Sequence, residues 1–255
     1  IYRHADTGEK KSGGILDRCR EWKTKATVEL VPIIKGRHDI DSNYDLLEAC
    51  FGRPLERRYD PWIHLGVNNQ PLAKWLLNEG GYICLQPGAA NGAPTPKTWH
   101  PKNFVELSRA LKERHGVDVV LLGDQGDQEF IIKSYQWPKG VINTAGETTI
   151  EDLGGLIENS ICVVAHDSGI MHIANAMKVP LVALYGPTDY TATQPKGKRS
   201  TALFSRTEAF AVMNRSNKSE RKLAEEYPDH QSMSGITVRD VLSAVAKIIE
   251  ADDIL

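Results

Sequence analysis

"ICVVAHDSGIMHIANAMKVPLVALYG", residues 161–186, holds two short apolar runs separated by a longer stretch with helical character. "ICVVAH" and "LVALYG" are β-branched-rich and apolar almost throughout, as strands covered on both faces are. "SGIMHIANAMK" between them reads as an amphipathic helix. Strand, helix and strand in this succession argue for a parallel sheet with helices on its faces.

The same alternation extends upstream and downstream. "YICLQP" (82–87), "VDVVLLG" (117–123) and "VINTAG" (141–146) read as strands. Helices are expected over 101–116, 127–137 and 149–160, and over 237–251 near the end of the sequence. Pro101 stands in the first turn of the first of these and Gly116 at its end. Thr149 and Asp152 have the spacing of a capping box, and Thr237 is placed to cap the last helix. Residues 200–235 are polar and irregular and read as a loop excursion. The first 75 residues differ: "ATVELVPII" reads as one strand, while "HDIDSNYDLLEACFG" and "QPLAKWLLNEGG" read as helices ended by glycine. One strand and two helices bury little core, so this portion is expected to be the tail of another domain.

With 31 basic and 33 acidic residues in 255, the chain has no charge excess that would suggest nucleic acid as a partner. No run approaches the roughly 18 apolar residues of a membrane-spanning helix. Cys19, Cys50, Cys84 and Cys162 form no C-x-x-C pair. Cys84 and Cys162 fall in apolar strands, where buried free thiols are expected, as in a reducing cytoplasm.

Ligands of open parallel sheets bind beyond the carboxyl ends of the strands. Three loops there carry polar and glycine residues: "QPGAANGAPTPKTWHP" (86–101), "GDQGDQE" (123–129) and "HDSG" (166–169). Helix N-termini present unpaired N–H groups to phosphate oxygens, and Gly88 and Gly169 would let a ligand come close. Lys97 would add a positive charge. Each residue also has a plainer reading: Lys97 as a solvated lysine, Asp167 or Ser168 as an N-cap, His172 as a core histidine. Several other chemistries fail on the residues. "GAPTPKT" lacks the P-loop glycine, having Pro96 before the lysine, and proline offers no N–H to a phosphate. No G-x-G-x-x-G opens a helix, Ser168 lies outside any G-x-S-x-G, and no carboxylate–histidine cluster has metal-ligand spacing.

Taken together, "LQPGAANGAPTPKTWHPKNFVEL", "VVLLGDQGDQE", "INTAGETTIEDLGGLI" and "VVAHDSGIMHIANAMKVPLVALYGPTD" resemble glycosyltransferase family 9, the ADP-heptose:lipopolysaccharide heptosyltransferases. The elements P-G-A…K-x-W-x-P and D-S-G-x-M-H-x-A…P…A-L-Y-G-P-T carry the resemblance, which is dense over residues 80–195. It implies an α/β protein of GT-B type, with a Rossmann-like parallel sheet and helices on both faces. On that pattern residues 76–255 form a complete nucleotide-sugar-binding domain. Residues 1–75 are the C-terminal part of the acceptor-binding domain with the interdomain linker.

The resemblance implies that Lys97 contacts the donor phosphates, that Asp127 lies near the ribose and that Thr148 flanks the adenine. Asp167, Ser168, Gly169, Met171 and His172, with Thr188, belong to the motif around pyrophosphate and sugar. The backbone of Gly88, Ala89 and Ala90 lines the same cleft. The implied reaction is an inverting, metal-independent heptose transfer from ADP-heptose to lipid A–Kdo or a heptosylated core, without a cofactor. The implied setting is the cytoplasm, with peripheral contact at the inner membrane left open. The family's base is a carboxylate near the start of the acceptor domain. Asp6, Asp17, Asp39 and Asp41 do not sit in its motif, so the catalytic base is unassigned, and the alternatives are a non-catalytic nucleotide-binding module or a family member using another nucleotide-sugar donor.

Overall fold

The structure is a computed structural model that describes residues 2–5, 29–32, 37–59, 62–63, 65, 81–89, 95–209, 212 and 220–251. The chain divides into two compact units, residues 1–59 with 191–193, and residues 60–190 with 194–255.

In the first unit β1 (Tyr2–Ala5) and β2 (Glu29–Pro32) pair in parallel. The strand expected in "ATVELVPII" is therefore present over four residues, and β1 is a partner that the sequence reading did not contain. Helix α1 (Asp39–Phe51) follows, capped by the His38 imidazole on the Ile40 N–H and ended at Gly52 with φ 62°. That left-handed turn is what glycine supplies cheaply. Arg57 binds Asp41, Asp45 and Glu48 on one side of α1 at 2.7–3.1 Å. The helix expected in "QPLAKWLLNEGG" lies outside the described residues.

The second unit is built on β3 (Tyr82–Leu85), α2 (Pro101–His115), β4 (Asp118–Leu121), α3 (Gln125–Phe130), β5 (Val141–Asn143), α4 (Ile150–Glu158), β6 (Cys162–His166), α5 (Gly169–Ala176) and β7 (Leu181–Tyr185). The short α6 (Tyr190–Thr193), whose last three residues are grouped with the first unit, precedes β8 (Ser200–Phe204), α7 (Glu220–Glu226) and α8 (Val238–Ala251). Six strands form one parallel sheet in the order β5-β4-β3-β6-β7-β8. The chain moves outward from β3 through β5, then returns to the other side of β3 and moves outward again. Strand order therefore reverses between β3 and β6, the place where doubly wound sheets open a crevice.

Strand alternation sorts the core into two layers. Ile83, Leu85, Val119, Leu121, Val164 and Val182 face one side, under Phe104, Leu107 and Leu111 of α2 and Val241, Val245 and Ile249 of α8. Tyr82, Cys84, Val120, Val163, Ala165 and Ala183 face the other, under Leu156 and Ile157 of α4 and Met171 and Ala174 of α5. Each large side chain so buried contributes roughly 1.5–3 kcal/mol. Both faces are covered, which is why the strands read as continuous apolar runs.

Local chemistry sets the helix limits. Pro101 opens α2 behind the His100 cap, and Gly116 at φ 65° ends it. Thr149 and Asp152 form the expected reciprocal box, and Thr237 and Asp240 form another at α8. Two expectations need correction. The expected loop over 200–235 instead holds the outermost strand at 200–204, whose half-exposed "STALF" lacks the apolar run of a central strand, helix α7 and a 3-10 turn at Gln231–Met233. The helix expected over 127–137 starts earlier, at Gln125, because Asp124 and Asp127 close a capping box, and it gives way to a 3-10 turn at Ile132–Ser134.

Candidate functional site

The loops after β3, β4, β5 and β6 surround a cleft of about 450 Å³. Gln86 and Ala89 come from the first loop, Asp127 from the start of α3, Thr148 from the third loop, and Ser168 and Gly169 from the turn into α5. A larger groove of about 870 Å³ between β8 and α8 is lined by none of the candidate site residues named from the sequence. Position at the crossover point, rather than size, selects the smaller cleft.

Ser168 occupies the N-cap position of α5, but its hydroxyl makes no cap bond. It donates instead to Gln86 Oε1 at 2.7 Å, joining the ends of β6 and β3 across the crossover. Ser168 thus leaves the first-turn N–H groups of α5 without its side-chain cap. A Cβ placed on Gly169 would meet nothing within 4 Å, so the space before that helix is open. Open, uncapped N–H groups at the positive end of a helix favour an anionic ligand.

Asp127 plays a different part. It is 4% exposed, and its Oδ2 accepts the Asp124 N–H at 3.1 Å as the third residue of the α3 capping box. Its Oδ1 is buried with no hydrogen-bond partner among the described residues and lies against Gly88. Burial raises its pKa to about 6, with the nearby Asp124 charge adding to the rise against the hydrogen bond from Asp124 N–H. A carboxyl so placed can accept from a ligand hydroxyl or, when protonated, donate to a phosphate oxygen.

The lysine-bearing turn is braced on several sides. Thr95 Oγ1 accepts the Lys97 N–H at 3.2 Å, and Thr98 N–H bonds Thr95 O at 2.9 Å. Ser232 Oγ donates to Pro96 O, and His230 Nδ1 lies 2.7 Å from Thr98 O. Trp99, fully buried, donates its indole N–H to Ile236 O at 2.9 Å. Its backbone N–H donates to His166 Nε2 at 2.8 Å. Lys97 itself is half-buried and does not line the cleft, but its turn and the Ser168 turn meet at the end of β6.

Of the remaining residues, Gly88 stands behind the cleft wall against Asp127, and half-buried Asp167 and exposed His172 flank Ser168 and Gly169 outside the lining. Thr188, 7% exposed, follows β7 and also lies outside the lining. Met171 is fully buried in the α5 core layer, where its sulfur accepts the Tyr185 hydroxyl at 3.2 Å. Its side chain is a packing residue and does not reach the cleft. Ala90 lies outside the described residues, as do Asp6 and Asp17. Asp39 is exposed, and the Tyr59 hydroxyl and Arg57 hold Asp41 below the usual carboxylate range, the wrong direction for a general base. Among the described residues no three His, Cys, Asp or Glu side chains are grouped to hold a metal ion.

Gln86 and His166 went unassigned in the sequence. Their signal was a polar side chain at the carboxyl end of an otherwise apolar strand. His166 is buried, and desolvation depresses its pKa to about 4.

The sequence model of glycosyltransferase family 9 (heptosyltransferase) matches residues 7–223. The chain belongs to this family. Among family 9 relatives, lipooligosaccharide heptosyltransferase 2 of Haemophilus influenzae is 35% identical over 133 residues, 50% of this chain and 38% of that protein. Lipopolysaccharide heptosyltransferase 2 of Salmonella typhimurium is 32% identical over 187 residues, 70% of this chain and 50% of that protein. The chain thus spans half or less of the length of these two relatives. The solved E. coli ADP-heptose lipopolysaccharide heptosyltransferase II superposes with a TM-score of 0.65 at 24% identity, covering 88% of this chain and 66% of that one. That likeness confirms the α/β, GT-B-type fold of this family 9 chain.

Proposed function

We propose that the chain is the donor-binding part of a heptosyltransferase that takes ADP-heptose and transfers the heptose to the lipopolysaccharide inner core. The observation that carries this reading is the α5 N-terminus. Its cap serine is engaged by Gln86, its first-turn amides are uncapped, and Gly169 opens onto the cleft. The diphosphate lies before these amides, and Lys97 supplies a counter-charge from the neighbouring turn. Asp127 and Thr148 stand on the nucleoside side, with Asp127 toward the ribose and Thr148 toward the adenine. Asp167 and His172, flanking Ser168 and Gly169, serve the sugar. Residues 76–255 constitute the donor domain, and residues 1–75 contribute to the acceptor domain.

In the reaction, a hydroxyl of lipid A–Kdo or a heptosylated core attacks the anomeric carbon and ADP departs with inversion. The α5 amides and Lys97 stabilise the departing diphosphate, and no metal is required for this. A carboxylate outside the assigned residues accepts the hydroxyl proton. The enzyme works at the cytoplasmic face of the inner membrane. Among the described residues no helix is long and apolar enough to cross a membrane.

Calorimetric titration with ADP-heptose, ADP, and UDP- and GDP-sugars tests the reading. Saturable binding of the adenine nucleotides, at least about tenfold tighter than the others, supports it. A folded protein that binds none of them refutes it. A second reading, a nucleotide-binding module without transferase activity, is favoured by the engagement of Asp41, one of the carboxylates considered as base, with Tyr59 and Arg57. Donor binding without release of ADP on addition of acceptor would select that reading.

A further inference from the structure

His166 closes the β3–α2 connection on itself. Its Nε2 accepts the Trp99 N–H, so in the neutral ring the proton sits on Nδ1, which donates to Gly88 O at 2.9 Å. These two backbone groups are the two ends of one loop. Gly88 and Ala89 lead out toward the cleft, and the Lys97 turn leads back into α2 at Trp99. One buried side chain, its ring centroid 5.4 Å from that of Phe104 in a T-shaped pair, therefore sets both ends. It also directly precedes the Asp167–Gly169 turn.

We propose that His166 is a positioning residue for the diphosphate: it fixes the Ala89 backbone and the Lys97 turn relative to the uncapped start of α5. The proposal rests on the nucleotide-sugar reading of the cleft. His166 itself touches no ligand. Losing either bond frees that end, Gly88–Ala89 or residues 95–99, and the effect falls on the ligand group beside it. Because the Lys97 turn serves phosphate, the loss must follow the number of phosphates on the ligand. A merely structural role would weaken all ligands alike.

Two substitutions separate the two bonds. The terminal amide of asparagine reaches about as far as Nδ1, so His166→Asn keeps the Gly88 end and frees Trp99. The longer glutamine reaches about as far as Nε2, so His166→Gln keeps an acceptor for the Trp99 N–H. ADP, AMP and adenosine are titrated by calorimetry into the wild type and both variants, with far-UV circular dichroism to confirm folding. His166→Asn is expected to weaken ADP about tenfold and leave adenosine within about twofold, while His166→Gln recovers ADP to within about threefold of wild type. Amide hydrogen exchange provides a readout without ligand: residues 95–99 exchange at least about tenfold faster in His166→Asn than in wild type or His166→Gln.

Unchanged ADP binding in both variants, or equal loss for ADP and adenosine, overturns the proposal. If wild-type protein binds no ADP, the nucleotide reading falls and takes the diphosphate role with it, and exchange then shows only whether His166 closes the loop. Unchanged exchange in His166→Asn overturns the closure itself.

Discussion

A methyl group at Gly88 should disrupt the start of α3, some forty residues further along the chain. A Cβ built on Gly88 would stand 1.7 Å from Asp127 Oδ1 and 2.2 Å from its Cγ. The Gly88 backbone is not left-handed, so only lack of space opposes a side chain there. The Asp127 carboxyl cannot simply rotate aside, because Oδ2 holds the Asp124 N–H in the capping box. Gly88→Ala must therefore break that half of the box, about 1 kcal/mol, or strain the packing, about 1–3 kcal/mol. A loss of about 1–3 kcal/mol follows, according to which of the two gives way. Asp127→Ala removes the clashing group along with a buried oxygen that has no partner, so its own cost stays within about 1 kcal/mol. In the double variant the new methyl enters the space the carboxyl vacated. Urea unfolding at pH 7, followed by circular dichroism, should give the double variant nearly the stability of Asp127→Ala. The coupling energy should exceed about 1 kcal/mol, and additivity within about 0.5 kcal/mol would refute the reasoning.

Three further outcomes are expected. His166 is depressed to about 4, so the unfolded chain binds a proton between pH 6.5 and 4 that the folded one does not; it thus loses up to about 3 kcal/mol of stability as pH falls through that window. Asp127, raised to about 6, acts oppositely: the folded state gains up to about 3 kcal/mol as pH falls from 6 toward 3.8. Denaturant titrations from pH 7 to 4 should therefore show a rise on acidification in His166→Gln and a steeper fall than wild type in Asp127→Asn; parallel curves would contradict both assignments. Trp99→Phe strips the Ile236 carbonyl of its indole donor and should cost about 1–3 kcal/mol in urea unfolding, with no change in secondary structure by circular dichroism. Thr149→Ala should cost about 1 kcal/mol by loss of the α4 cap, measured by the same titration.

The central strands were legible because both of their faces are covered: "ICVVA" and "LVALY" have no polar face to interrupt the run. β8 was not, because an outermost strand with half-exposed residues carries no such run. Helix limits followed from local chemistry at Pro101, Gly116, Thr149 and Thr237, which one sequence displays. Met171 shows where motif outran geometry, since its place one turn before Ala174 and Asn175 puts it on the buried side of α5. The interlocking of the site could not be read in advance. Ser168 meets Gln86 82 residues away, and His166 meets Gly88 78 residues away, pairs that exist only once the β3–β6 crossover brings their strands side by side.

The claim that the strand ends around the crossover hold a nucleoside diphosphate is tested most directly by titrating ADP into the isotopically labelled chain and following its backbone amide resonances. The amides of Ala89, Gly123, Thr148, Ser168 and Gly169 should shift together and saturate at one common concentration. No shift in a folded protein, or shifts confined to the groove of Lys198, Arg206 and Lys247 between β8 and α8, would contradict it.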